Sequence, residues 1–197
     1  MTASKTYNTP HEATRALLDY EHFPGDIWEP FAGNGEMAFV LRDEGYTVTA
    51  TTLHSGRHEK AFPKHRVTGN QDFFDFTVAP KPNIFSNPPF ECANEIVNHA
   101  FDLGVIKMAL LLNIKFLGGQ GRWGFGGRGV ALKWSPARVY PFADRVTMYP
   151  ADWDGETKNS TTETYAWFIW DRSCHGQAST IPAILYSGDY RIPGAAE

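Results

Sequence analysis

Asn87, Pro88, Pro89 and Phe90 end an apolar run, Ile84 and Phe85, and open an amphipathic stretch, so they read as the turn between a strand and a helix. Proline has no N–H and a fixed φ, and it drives the residue before it into an extended conformation. The carbonyl groups of Asn87 and Pro88 are thereby kept out of a helical ladder. The Asn87 side-chain oxygen and the Pro88 main-chain oxygen can converge on one external –NH2 donor, while Phe90 offers a flat apolar face to a ring. A planar ring that carries an amine is a nucleobase.

About fifty residues earlier, Asp26-Ile27-Trp28-Glu29-Pro30-Phe31-Ala32-Gly33-Asn34-Gly35-Glu36 reads as a short buried strand, a glycine-bearing turn and a helix start. Met37, Val40 and Leu41 follow at helical spacing, and Gly45 is the stop. Gly33 and Gly35 remove side chains where a ligand approaches the main chain, and the helix N-terminus behind them favours a carboxylate or phosphate. The third glycine of a dinucleotide fingerprint is missing, which argues against NAD.

Asn-Pro-Pro-Phe resembles the catalytic motif of the amino-methylating DNA methyltransferases, and Glu-Pro-Phe-Ala-Gly-x-Gly is similar to the S-adenosyl-L-methionine loop of the same family. The resemblance extends from Tyr7 to about Asp171. Its motif order, with no large target-recognition insert, is similar to the gamma-type adenine (N6) enzymes, and the small size to phage-encoded members. It implies a Rossmann-like class I methyltransferase fold: an α/β, seven-stranded, mostly parallel sheet with a late antiparallel strand. The implied reaction is methyl transfer from S-adenosyl-L-methionine to the exocyclic amine of adenine in DNA, with Asn87, Pro88, Pro89 and Phe90 as the catalytic turn. RNA and protein-glutamine methyltransferases share this turn, cytosine offers the same amine chemistry, and a catalytically silent binding module is the reading from another class.

The same resemblance assigns Glu29, Pro30, Phe31, Gly33 and Gly35 to the cofactor. Tyr7-Asn8-Thr9-Pro10 looks like the family's N-terminal motif beside the methionine end, with Tyr7, Thr9 and Pro10 as the implied contacts. From the residues alone, Thr9-Pro10-His11-Glu12 reads equally as a capping box that starts a helix with Ala13, Ala16, Leu17 and Tyr20 on one stripe. Asp72 and Phe73 resemble the adenine-side pair, with a plain turn and a core phenylalanine as the other reading. Tyr46 to Leu53 alternates as the second strand, yet it ends in Thr52-Leu53-His54 where the family has an acid for the ribose. Thr52 or His54 is left to supply a weaker hydrogen bond.

Ala93, Ile96, Val97, Ala100 and Phe101 mark a core-facing helix ended by Gly104, and Val105 to Phe116 the next strand. Seven of the twelve residues from Gly118 to Gly129 are glycine, interleaved with Arg122, Trp123, Phe125 and Arg128, so this segment reads either as a loop whose rings and guanidinium groups grip DNA or as a linker. Lys115 joins Phe90, Arg122, Trp123 and Arg128 as candidate substrate contacts. Ser135 to Tyr149 and Thr162 to Trp170 are two further strand-like runs.

The 197 residues, 42% hydrophobic and 20% charged, fit one domain spanning 1–197, with 118–160 as an insertion available for target contact. No apolar run is long enough to span a membrane and no leader is visible, so the expected location is the cytoplasm. Cys92 and Cys174 are too few for a disulfide framework. His54, His58 and His65 lack partnering cysteines or carboxylates, and no metal is expected. The net charge of −4 hides an uneven distribution: residues 104–150 hold seven basic side chains and one acid, compatible with phosphate contact by a basic face on an acidic body.

Overall fold

A computed structural model describes residues 7–54, 66–119, 132–150 and 162–190. The elements that carry the sheet are β2 (Ile27–Glu29), β3 (Val48–Thr51), β4 (Val67–Thr68), β5 (Asn83–Ser86), β6 (Lys107–Asn113), β7 (Arg138–Pro141) and β9 (Tyr165–Asp171). Their spatial order is β4-β3-β2-β5-β6-β9-β7. β4, β3, β2, β5 and β6 run parallel, and β9 is antiparallel to both β6 and β7. This is the mostly parallel seven-stranded sheet with a late antiparallel strand that the family resemblance implied.

Helices cover both faces, which is why β6 and β9 are apolar along their length rather than alternating. On β6, Ala109 and Leu111 pack with α1 (His11–Leu18) and α2 (Glu36–Asp43), whereas Met108, Leu110 and Leu112 pack with α3 (Ala93–Asp102). β9 divides in the same way, with Trp167 and Ile169 on the first face and Phe168 and Trp170 on the second. The buried indoles are each satisfied: Trp28 donates to Thr51 Oγ1, Trp167 to the Ala13 carbonyl and Trp170 to the Trp134 carbonyl.

Element ends have local causes. α2 stops before Gly45 and α3 before Gly104, whose φ values of +89° and +95° put them in the left-handed region that favours glycine. β6 is shorter than the expected 105–116 because Ile114–Leu117 winds into a 3-10 turn, capped by the Asn113 side chain accepting from Lys115 N. Likewise Phe90–Cys92 makes one 3-10 turn before α3 begins. The run from 135 to 149 is two strands rather than one: β7, and β8 (Tyr149–Pro150), which leaves the sheet and pairs antiparallel with β1 (Tyr7–Asn8).

The amino-end edge of the sheet is held by a buried ion network. Glu21, 4% exposed, is bonded by Arg138, by Lys107 Nζ at 2.6 Å and by Tyr140 Oη at 2.8 Å. Burial alone would raise the Glu21 carboxyl, but these donors outweigh it and hold it below the usual range.

Candidate active site

Strand order reverses between β2 and β5: the chain runs outward from β2 to β3 and β4, then returns to place β5 on the other side of β2. Ligands of open parallel sheets bind in the crevice at the carboxyl ends beside such a reversal. Glu29 ends β2 and Asn87 directly follows β5, so both signature loops leave the sheet at this point.

A pocket opens there, lined by Tyr7, Asn8, Thr9, Glu29, Phe31 and Asn87 together with Ala32, Glu36 and Met37. The loop under it is shaped by Gly33 and Gly35 at φ +53° and +86°, and Gly35 N–H closes the turn onto the Ala32 carbonyl at 2.7 Å. Two acceptor atoms of lining residues are buried without a partner, Glu29 Oε2 and Asn8 Oδ1. Glu29 is 2% exposed, and burial pushes its carboxyl well above the usual carboxylate range; the nearby Arg42 charge and the Ala38 N–H only partly offset this. Unpaired buried acceptors around one hollow suit a ligand that brings donors and positive charge.

The side chain of Asn87 is fixed from one side. Its Nδ2 donates to Thr9 Oγ1 at 3.1 Å and lies 3.9 Å from Met148 Sδ. Among the described residues neither Asn87 Oδ1 nor the Pro88 carbonyl accepts a hydrogen bond. Pro88 is buried and Pro89 exposed. The Phe90 ring, 40% exposed, has its centroid 6.0 Å from that of Tyr165.

Other expected contacts sit differently. Thr9 does not cap α1: it stands one residue before the cap position, which Pro10 occupies with no side-chain bond, and its hydroxyl accepts from Asn87. Pro30 is buried in the loop backbone, and Phe73, 2% exposed, packs between Trp28 and His99 behind Phe31, the ring that borders the pocket. Asp72 spends one oxygen on Phe74 N at 2.9 Å. Thr52 is buried and its Oγ1 accepts from His54 N, a local turn bond.

The segmental charge excess does not become a basic face among the described residues. Lys107 and Arg138 are drawn into the Glu21 network, Lys133 pairs with Asp102 and Lys115 with Glu163, each of the latter at 3.0 Å. Arg145 is exposed, and Arg122, Trp123 and Arg128 lie outside the described residues, as do His58 and His65. Counting charges along a segment missed this, since the neutralising acids come from distant parts of the chain. Among the described residues there is no group of three or more His, Cys, Asp or Glu placed to hold a metal ion, and no helix long and apolar enough to cross a membrane.

Asn8 and Ala32 lie inside the two motifs matched to the cofactor site without having been singled out as contacts, and Glu36 and Met37 lie outside both. Asn8 lies between two residues of the N-terminal motif and Glu36 directly after Gly35, so adjacency alone pointed to them. Glu36 is held by His11 Nε2 at 2.7 Å. Met148 had no signal, because its place depends on the pairing of β1 with β8.

No protein-family model matches the sequence, and no curated protein sequence matches it. Solved structures do match. A protein of Pyrococcus horikoshii described as a candidate RNA methyltransferase aligns at 15% identity and a TM-score of 0.55, covering 84% of this chain and 86% of that one. A protein of the NADB-Rossmann superfamily from Streptococcus agalactiae aligns at 11% identity and 0.54, covering 90% and 72%. A dimethyladenosine transferase from Plasmodium falciparum aligns at 10% identity and 0.51, covering 84% and 62%. At such identities the likeness is one of fold: the chain has the Rossmann-like architecture of the class I methyltransferases.

Proposed function

We propose that the protein transfers a methyl group from S-adenosyl-L-methionine to the exocyclic amine of adenine in DNA. The observation that carries this reading is the Asn87–Pro88 turn at the sheet's reversal point, with two acceptor oxygens unused and a pocket with unpaired buried acceptors beside it. The lining suits the cationic end of the cofactor: Glu29 and Asn8 would accept from its ammonium group, with Phe31 and the Gly33–Gly35 turn beside them. When bound, the cofactor supplies an electrophilic methyl on a sulfonium.

The residues of the chain then act on the amine. An arylamine is a weak nucleophile because its lone pair is delocalised into the ring. Accepting both of its N–H bonds at Asn87 Oδ1 and the Pro88 carbonyl draws the nitrogen toward tetrahedral geometry and disperses the positive charge that grows on it, with dipoles already in place. No strong base is needed, since the proton becomes acidic only once the nitrogen is alkylated. In duplex DNA the base must be flipped out at a cost of about a few kcal/mol, which stacking on Phe90 partly offsets.

Phe90→Ala is therefore expected to raise the KM for the nucleic acid by about ten- to a hundredfold, in line with about 1–3 kcal/mol per stacked base, with a smaller effect on the KM for the cofactor. Steady-state kinetics measure both, and an unchanged KM for nucleic acid would remove the stacking role.

The deciding experiment is mass spectrometry of nucleosides from unmethylated DNA incubated with protein and cofactor, with N6-methyladenine as the expected product. The pairing of four of the five described cations of residues 104–150 favours one second reading, the same chemistry on an RNA amine or a glutamine amide, which does not require a face that tracks duplex phosphates. Parallel incubations with RNA and protein separate these substrates, and no product in any of them would overturn the methyl-transfer reading.

A further inference from the structure

Asn87 can act as an acceptor only if its amide is turned the right way, and a half turn about its terminal bond would present N–H groups to the substrate amine instead. A threonine hydroxyl alone does not settle the matter, since it can accept from nitrogen or donate to oxygen. A thioether can: sulfur has lone pairs and no hydrogen, so it tolerates the Asn87 NH2 and disfavours the Asn87 oxygen.

Both groups come from one ribbon. β1 and β8 pair with Tyr7 opposite Pro150 and Asn8 opposite Tyr149, so the next antiparallel position sets Thr9 opposite Met148. Asn87 Nδ2 contacts both members of this pair, Thr9 Oγ1 at 3.1 Å and Met148 Sδ at 3.9 Å. Both contacts are made by the amide nitrogen, and among the described residues Oδ1 accepts no hydrogen bond. Thr9 is 6% exposed, so water competes poorly for this bond.

We propose that Thr9 and Met148 are positioning residues for the methyl-transfer step: the β1–β8 ribbon fixes the flip state of Asn87 and keeps its oxygen toward the incoming amine. This rests on the function proposed above and deepens it. Thr9 lines the pocket as well as bonding Asn87.

The test uses the full chain with Thr9→Val, Thr9→Ser and Met148→Leu. Valine keeps the shape of threonine and removes the oxygen, so kcat is expected to fall by about tenfold or more while the KM values for cofactor and nucleic acid stay within about twofold. Serine restores kcat to within about threefold of wild type, and Met148→Leu gives a smaller loss than valine at Thr9. A wild-type kcat for Thr9→Val, or a loss confined to the KM for cofactor, would overturn the proposal. A second measurement is independent of turnover: hydrogen exchange of the Asn87 side-chain NH2, assigned by NMR through its loss in Asn87→Ala. Exchange is expected to be slowed in wild type and in Thr9→Ser and to accelerate in Thr9→Val. Protected NH2 signals in a protein that methylates nothing would leave the positioning device standing and overturn the function; unprotected signals in an active wild type would do the reverse.

Discussion

Asn87→Ala is expected to lower kcat by about 10²–10³-fold or more while affinity for S-adenosyl-L-methionine stays within a few-fold, because the alanine removes an acceptor whose worth is realised as charge develops on the amine. The asymmetry follows from the geometry. The Asn87 oxygen has no partner within the described chain, so deleting it strands no buried donor; the bond lost is the one from Asn87 Nδ2 to Thr9 Oγ1, an acceptor whose hydroxyl can rotate. The cofactor pocket keeps Glu29, Asn8 and Phe31, the residues that would carry most of its binding. Paired measurements of binding by calorimetry and of single-turnover methyl transfer check both halves. Turnover near wild type would refute the role of the diproline turn. Loss of cofactor binding in step with kcat would make Asn87 a wall of the pocket rather than an acceptor for substrate.

What could be read from the sequence followed from local constraint. Two prolines in a row, and glycines flanking a loop, restrict the backbone whatever surrounds them, so the turns at 87–90 and 29–35 were legible, as were α2 and α3 from their apolar spacing. The parallel sheet was legible from strands that alternate with helices, whereas its seven strands and late antiparallel member came only through the family resemblance. What could not be read depended on partners distant in the chain. Thr9 looked like a helix cap because Pro10, His11 and Glu12 supply that pattern, yet its hydroxyl is taken by Asn87, 78 positions away. Lys107 and Arg138 looked like a basic surface because their segment is poor in acids, yet Glu21 reaches them from the α1 side of the molecule. Short-range pattern fixes conformation well and assigns a polar side chain poorly, because a hydroxyl or a charge bonds whatever the tertiary fold brings to it. The pocket shows both effects at once. Its glycine turn was visible in isolation, whereas the lock on its acceptor needed the pairing of two-residue strands that carry almost no pattern of their own.

Glu29→Gln is expected to weaken S-adenosyl-L-methionine binding by about 10²-fold or more, as removal of a buried counter-charge does, and at the same time to stabilise the ligand-free protein at alkaline pH. Burial raises the Glu29 carboxyl far above its unfolded value, and one of its oxygens has no partner. Between the ordinary carboxylate range and that raised value the native state holds a proton that the unfolded chain has released. Stability therefore falls as pH rises through this window, and the contribution of Glu29 is fully favourable only below it. Glutamine carries no charge to bury, so the variant escapes that loss: its melting temperature should exceed that of wild type by a few degrees near about pH 8 and converge with it toward about pH 4–5. Binding reverses the preference. A cationic ligand favours the ionised carboxylate, so wild-type protein should release a proton on binding, with affinity rising with pH, whereas the glutamine variant should do neither. Calorimetry in two buffers of different ionisation enthalpy reads the proton, and thermal melts across pH read the stability. A variant that binds as tightly as wild type would reduce Glu29 to a buried acid of the fold, and a wild type that binds no cofactor at all would leave the silent-module reading in possession of the pocket. The expected pairing, a residue that costs stability when the pocket is empty and confers affinity when it is filled, is what distinguishes a binding group from one retained for packing.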